Sequence, residues 1–179
     1  MHEPPITLPA AGPNEPVEGV IIACNDERAS RGIFSSVQVP PSHQIHQQGI
    51  LAPLTALVGV PILVWRHIEQ DPFTIERSSG LDNQIVTYLM IQPHNGLADM
   101  MWQLNVGTVT VVRQDRKPLT LEAIEALWQF CSSIISDSDG LQVPTERMTP
   151  EGFGEFCQKY KQRMIRDGKT RFKSLSIPI

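Results

Sequence analysis

The sequence predicts one α+β domain, a mostly antiparallel or mixed sheet of about five to six strands followed by two C-terminal amphipathic helices. Three observations lead there. Short apolar or alternating stretches bounded by Pro, Gly, Asn and Asp occupy the chain as far as residue 114. Two segments with apolar residues at helical i, i+3, i+4 spacing come only after it. Strand-like and helix-like segments are thus segregated instead of alternating, which argues against a parallel βαβ sheet. The 179 residues suffice for one domain with a substantial core.

Residues 1–18 carry five prolines, Pro4, Pro5, Pro9, Pro13 and Pro16, and few large apolar groups. Proline neither donates to a ladder nor continues a helix, so this is an extended arm, either lying on the domain or loose. The domain itself spans 19–179. It opens with two strands, GVIIAC (19–24) and GIFSSVQV (32–39). In the second, Ile33, Ser35, Val37 and Val39 alternate with Phe34, Ser36 and Gln38, and Pro40-Pro41 ends it. Pro53 and Pro61 divide the most apolar stretch, 49–68, into a helical turn near 53–58 and a buried strand at 61–67.

NQIVTYLMI (83–91) is apolar on both faces, as a central strand is, and NVGTVTVVRQ (105–114) is rich in Val and Thr. Thr120 caps the first helix, whose stripe is Leu121, Ile124, Leu127, Trp128, Cys131 and Ile135. Thr149-Pro150-Glu151 starts the second, with Phe153, Phe156, Tyr160 and Met164 on its stripe and Gly168 as its stop. TRFKSLSI (170–177) then reads as a final edge strand.

Composition narrows the function. The net charge of −4 gives no reason to expect nucleic acid or an anionic membrane as partner, although residues 146–173 are locally basic. The exposed side of the second helix, Lys159, Lys161, Arg163 and Arg166, lacks spare aromatics for base stacking and reads as a solvated face. Cys24, Cys131 and Cys157 are odd in number and widely spaced, which fits neither a disulfide framework nor a zinc finger. The start of the chain has no secretory pattern, and no apolar run reaches the ~20 residues of a membrane span. The expectation is a soluble cytoplasmic protein with reduced thiols. Phosphate loops, a GxSxG elbow and HExxH are absent from the sequence.

The chemistry-bearing residues gather at strand ends. CNDERASRG (24–32) places Asn, Asp, Glu and two Arg in a loop that needs only one or two turn formers. Asp26 is a candidate acid or base there, and Arg28 a candidate anchor for a substrate oxygen. The plain alternative is a solvated turn whose Asn25 and Asp26 bond the local backbone. His43 and His46 have a metal-like spacing, but Pro40, Pro41 and Gly49 make a helix there doubtful and no acid lies close. No metal is expected, and His46 is nominated as an acid–base group. His67 emerges where the buried PILVW run meets solvent. Asn83 lies at one end of the 83–91 strand, beside Asp82, and Trp102 lies beyond the other end with His94, Asn95 and Asp99. The candidate catalytic residues are therefore Asp26, His46 and His67, and the candidate substrate contacts Arg28, Asn83 and Trp102. Which end of the sheet carries a site stays open.

Taken together, ACNDERASRGIF, LTALVGVPILVWRH, DNQIVTYLMI and WQLNVGTVTVVRQDRKPL resemble a family of small uncharacterised fungal proteins over residues 19–135. Some relatives of that family carry the label of a MYND-type zinc finger. The three scattered cysteines here cannot build such a finger, so zinc does not carry over. The resemblance implies a filamentous-fungal origin and a compact domain, and it supplies no catalytic residues.

Two readings follow. The first is a small cofactor-independent enzyme of isomerase, cyclase or lyase type acting on an apolar small molecule, by analogy in fungal secondary metabolism. The second is a non-catalytic domain that binds another protein. A homodimer is compatible with either.

Overall fold

A computed structural model describes residues 9–24, 28–41, 49–50, 52–66, 107–136 and 148–176. The elements are β1 (Val17–Ile22), a single helical turn α1 (Arg28–Arg31), β2 (Phe34–Val39), β3 (Gly49–Ile50), α2 (Ala52–Val58), β4 (Ile62–Arg66), β5 (Val109–Arg113), α3 (Leu121–Ser136) and α4 (Pro150–Arg166). A 3-10 helix, Thr170–Ser174, closes the described chain. The domain is α+β, as the segregated pattern predicts. The strand expected at 83–91 lies outside the described residues.

The sheet has the order β2-β1-β5-β4-β3, and every ladder among the described residues is antiparallel. Four strands are five or six residues long, and β3 is a two-residue edge. β5 sits at the centre, between β1 and β4, and all five of its residues are buried. Its Val and Thr content suits that position, where β-branched side chains pack against both neighbours. Gly19 lets β1 approach β5: a Cβ built there would lie 2.5 Å from the Val111 carbonyl oxygen.

The helices cover one face. Val20, Ile22, Ile62, Val64, Val109 and Val111 meet Leu54 and Leu57 of α2 and the apolar sides of α3 and α4. Thr120 caps α3 through its Oγ1, which accepts from the Ala123 N–H at 3.2 Å. The face of α3 in the core is slightly rotated from the predicted stripe. Ile124, Leu127 and Cys131 are buried with Ala123, Phe130 and Ile134, whereas Leu121 and Trp128 are half-buried at its edges. α3 faces the sheet and α4 at once, so its apolar surface is wider than one stripe. In α4, Phe153, Cys157, Tyr160 and Met164 are buried and Phe156 is half-buried.

The end of α4 corrects one expectation. Residues 170–174 form a 3-10 helix, not an edge strand. Gly168, at φ 84°, donates to the Ile165 carbonyl, and Lys169 donates to that of Met164. This Schellman arrangement reverses the chain against α4, where Phe172 is fully buried and edge-on to Tyr160 at 5.4 Å. Arg171 reaches back to Glu122 and Glu125 of α3 at 3.3 and 2.9 Å. The alternation in TRFKSLSI marks one inward Phe, which a tight helical turn serves as well as a strand.

The other face of the sheet has a smaller cluster, Val17, Val39 and Val112, with Ala11, Val37 and Leu63 against it. Residues 9–16 of the arm lie here. Arg116, in the turn after β5 at φ 65°, donates from Nε to the Ala11 carbonyl and from Nη2 to those of Gly12 and Glu15. Its own carbonyl accepts from the Ala11 N–H at 3.0 Å. In the same turn the buried Arg113 holds Asp115 through two parallel bonds, Nε to Oδ1 at 3.0 Å and Nη2 to Oδ2 at 2.7 Å. That guanidinium keeps the Asp115 carboxyl below its ordinary pKa.

Candidate functional site

Strand pairing brings several chain ends together at one end of the sheet. Ile22, the last residue of β1, pairs with both Phe34 and Val109, the first residues of β2 and β5. Arg66, the last residue of β4, also pairs with Val109. Gly49 pairs with Val64, so β3 starts toward the same end. Two strands therefore finish and three begin here, and the loops joining them supply this end with the most varied polar chemistry in the chain.

The β1–β2 connection is built tightly at its roots. The Ala23 N–H donates to the Ile33 carbonyl at 3.0 Å, and the Cys24 N–H donates to Thr108 Oγ1 at 3.1 Å in a buried contact. α1 then makes one helical turn, which the polar run of the sequence did not announce. The Gly32 N–H closes it on the Arg28 carbonyl at 2.9 Å, and Gly32, at φ 78°, directs the chain into β2. Arg28 opens that turn. Its Nε and Nη2 are both buried and have no hydrogen-bond partner among the described residues. A buried cationic donor without an acceptor is costly, and such groups in folded proteins call for an explanation.

Of the six residues nominated from sequence, Arg28 is described. Asp26, His46, His67, Asn83 and Trp102 lie outside the described residues. The described residues that flank three of them, Cys24 before Asp26, Gly49 after His46 and Arg66 before His67, all belong to this end of the sheet. The strand pairing, which sequence could not supply, is what relates them.

A second feature was not foreseen. Phe130 of α3 and Thr149, Gly152, Glu155, Phe156 and Lys159 of α4 line an open groove of about 330 Å³. The Phe130 and Phe156 rings, 5.4 Å apart and tilted by 57°, form its apolar wall, and Thr149 Oγ1 caps α4 by accepting from the Gly152 N–H at 3.0 Å. None of the six nominated residues lines it. Sequence reasoning missed it because its residues were divided between a core stripe and a solvated face.

The cysteines are buried free thiols. Burial pushes the Cys131 and Cys157 thiols up to about 12, so both stay protonated and un-nucleophilic at neutral pH. No group of three His, Cys, Asp or Glu among the described residues is placed to hold a metal ion. No helix among them is long and apolar enough to cross a membrane. Comparison with protein-family models, curated proteins and solved structures gives no match, which neither supports nor opposes the fungal resemblance.

Proposed function

We propose that the protein is a small cofactor-independent enzyme of isomerase, cyclase or lyase type that acts on an apolar small molecule at the Cys24–Arg28 end of the sheet. The observation that supports this reading is the pair of buried, unpartnered Arg28 donors. A guanidinium so placed is suited to an oxygen that gains negative charge during reaction, because it needs no reorganisation to meet it. In the proposed step, a carboxylate or imidazole from Asp26, His46 or His67 takes a proton from the carbon next to a carbonyl. Arg28 holds the resulting enolate oxygen, and the proton returns at a second carbon, so that the product is an isomer. An interaction domain is the alternative, and the α3–α4 groove is the feature that favours it.

Hydrogen exchange on substrate carbon tests the enzyme reading without knowledge of the natural substrate. Enolisable apolar ketones and keto acids incubated with the protein in D2O, followed by NMR, are expected to take up deuterium at the α-carbon faster than in buffer. Arg28→Met is expected to slow that uptake about 10²–10³-fold, the usual loss on removing an oxyanion donor. Uptake at the buffer rate, or uptake indifferent to Arg28→Met, rejects the assignment.

A further inference from the structure

The two unpartnered nitrogens of Arg28 are not an arbitrary pair. Nε–H and one Nη2–H run parallel along the same edge of a guanidinium, spaced to meet both oxygens of a planar carboxylate. The chain contains its own example of that fit. Arg113 uses Nε and Nη2 for the two oxygens of Asp115, at 3.0 and 2.7 Å. Arg28 buries the same edge and has no acid, carbonyl or hydroxyl on it among the described residues.

A lone carbonyl oxygen satisfies one of these donors or bisects them, and leaves the edge under-used. A carboxylate satisfies both and neutralises a cation that is half out of water. We infer that the Arg28 edge is a carboxylate-binding fork, so that the small molecule taken at this end of the sheet is an apolar carboxylic acid. This rests on the small-molecule reading above and narrows it, since Arg28 then anchors a carboxylate adjacent to the reacting carbon.

The inference gives Arg28 a shape requirement besides a charge requirement. Lysine offers a point charge with no fork, and methionine has comparable length with neither charge nor donor. The roots of the loop provide a local readout, because the Ala23, Cys24 and Gly32 amides are fixed by the Ile33, Thr108 and Arg28 bonds. Binding beside Arg28 shifts their NMR signals without any assay of activity.

The probes are benzoate and hexanoate at millimolar concentration, each matched with its primary amide, benzamide and hexanamide, and with inorganic phosphate. The carboxylates are expected to shift the Ala23, Cys24 and Gly32 amides saturably, and the amides and phosphate to shift them at least tenfold more weakly. Arg28→Lys is expected to weaken carboxylate binding about tenfold or more, and Arg28→Met to abolish it, with the rest of each spectrum unchanged. Carboxylate binding that survives Arg28→Lys intact overturns the fork. Neutral amides binding as tightly as the acids overturn it too, while leaving a small-molecule site in place. If no probe moves these amides, the inference fails. If α-deuterium uptake is also at the buffer rate, the enzyme reading fails with it.

Discussion

Replacing Arg116 with alanine removes the strap that holds residues 11–15 on the second face of the sheet. Three donor contacts are lost, to the Ala11, Gly12 and Glu15 carbonyls. A hydrogen bond from a charged donor contributes about 1.5–3 kcal/mol at best, and these partly exposed carbonyls regain water, which brings each nearer to about 1 kcal/mol. The released arm recovers conformational freedom, and that offsets a further part. The expected loss is about 1–3 kcal/mol, a fall in Tm of roughly 3–10 °C for a chain of this size. Arg116 also occupies φ 65°, where a Cβ is unfavourable and glycine is not. Arg116→Gly loses the same strap but relieves about 1 kcal/mol of that backbone cost, so the expected order of stability is wild type, Gly, Ala. Urea unfolding followed by tryptophan fluorescence measures the order. Hydrogen exchange at the Ala11 amide, which donates to the Arg116 carbonyl, reports whether the arm has lifted. An alanine variant within 0.5 kcal/mol of wild type, or a glycine variant less stable than the alanine one, refutes the reasoning.

Two further perturbations bear on the turn after β5 and on the core. Asp115→Asn leaves the Arg113 guanidinium, 6% exposed, without its counter-charge, and is expected to cost about 2–3 kcal/mol in urea unfolding. A loss under 0.5 kcal/mol would mean that water replaces the carboxylate at no cost. Cys131 and Cys157, ordinarily at 9.0, are pushed up to about 12 by burial, so above pH 9 the unfolded chain releases protons that the folded one keeps. Their contribution is intact below pH 9 and is lost as pH rises toward about 12, at up to about 1.4 kcal/mol per pH unit for each thiol. The double variant Cys131→Ala, Cys157→Ala is expected to show a shallower loss of stability from pH 9 to 11. Parallel slopes for the two proteins would contradict the assignment.

Much of this fold is readable from spacing alone. β2 ends at Val39, before Pro40-Pro41, α2 starts one residue before Pro53, and Thr149-Pro150 opens α4, because prolines and capping side chains act on their own neighbourhood. What stayed hidden depends on distant partners. Phe130 and Ile134 outrank Trp128 as core residues because α3 faces both the sheet and α4. The arm is held by Arg116, about a hundred residues away, which no local pattern of prolines reports. The site divides in the same way. The surplus of charge in CNDERASRG singles out Arg28, but the lack of a partner on its Nε and Nη2 is a property of three-dimensional packing. The groove beside Phe156 is likewise invisible to periodicity, which sees an aromatic residue and assigns it to the interior.

The strand order β2-β1-β5-β4-β3 has a consequence for how the chain folds. β1 with β2 and β3 with β4 are ribbons joined by nearby sequence, and both are complete once residue 66 has been synthesised. Neither has another strand to rest on, and an isolated two-stranded ribbon is marginal in water. β5 is the strand that welds them, and its contacts are remote: the Cys24–Thr108 bond spans 84 residues. Closing so long a loop comes before the core can repay it, so folding waits on the arrival of residues 109–113. Until then the nascent chain carries unpaired strand edges, the state in which intermolecular pairing competes with folding. A substitution that weakens β5 therefore acts first on the folding rate and on yield during synthesis, before it is felt in the stability of the finished protein.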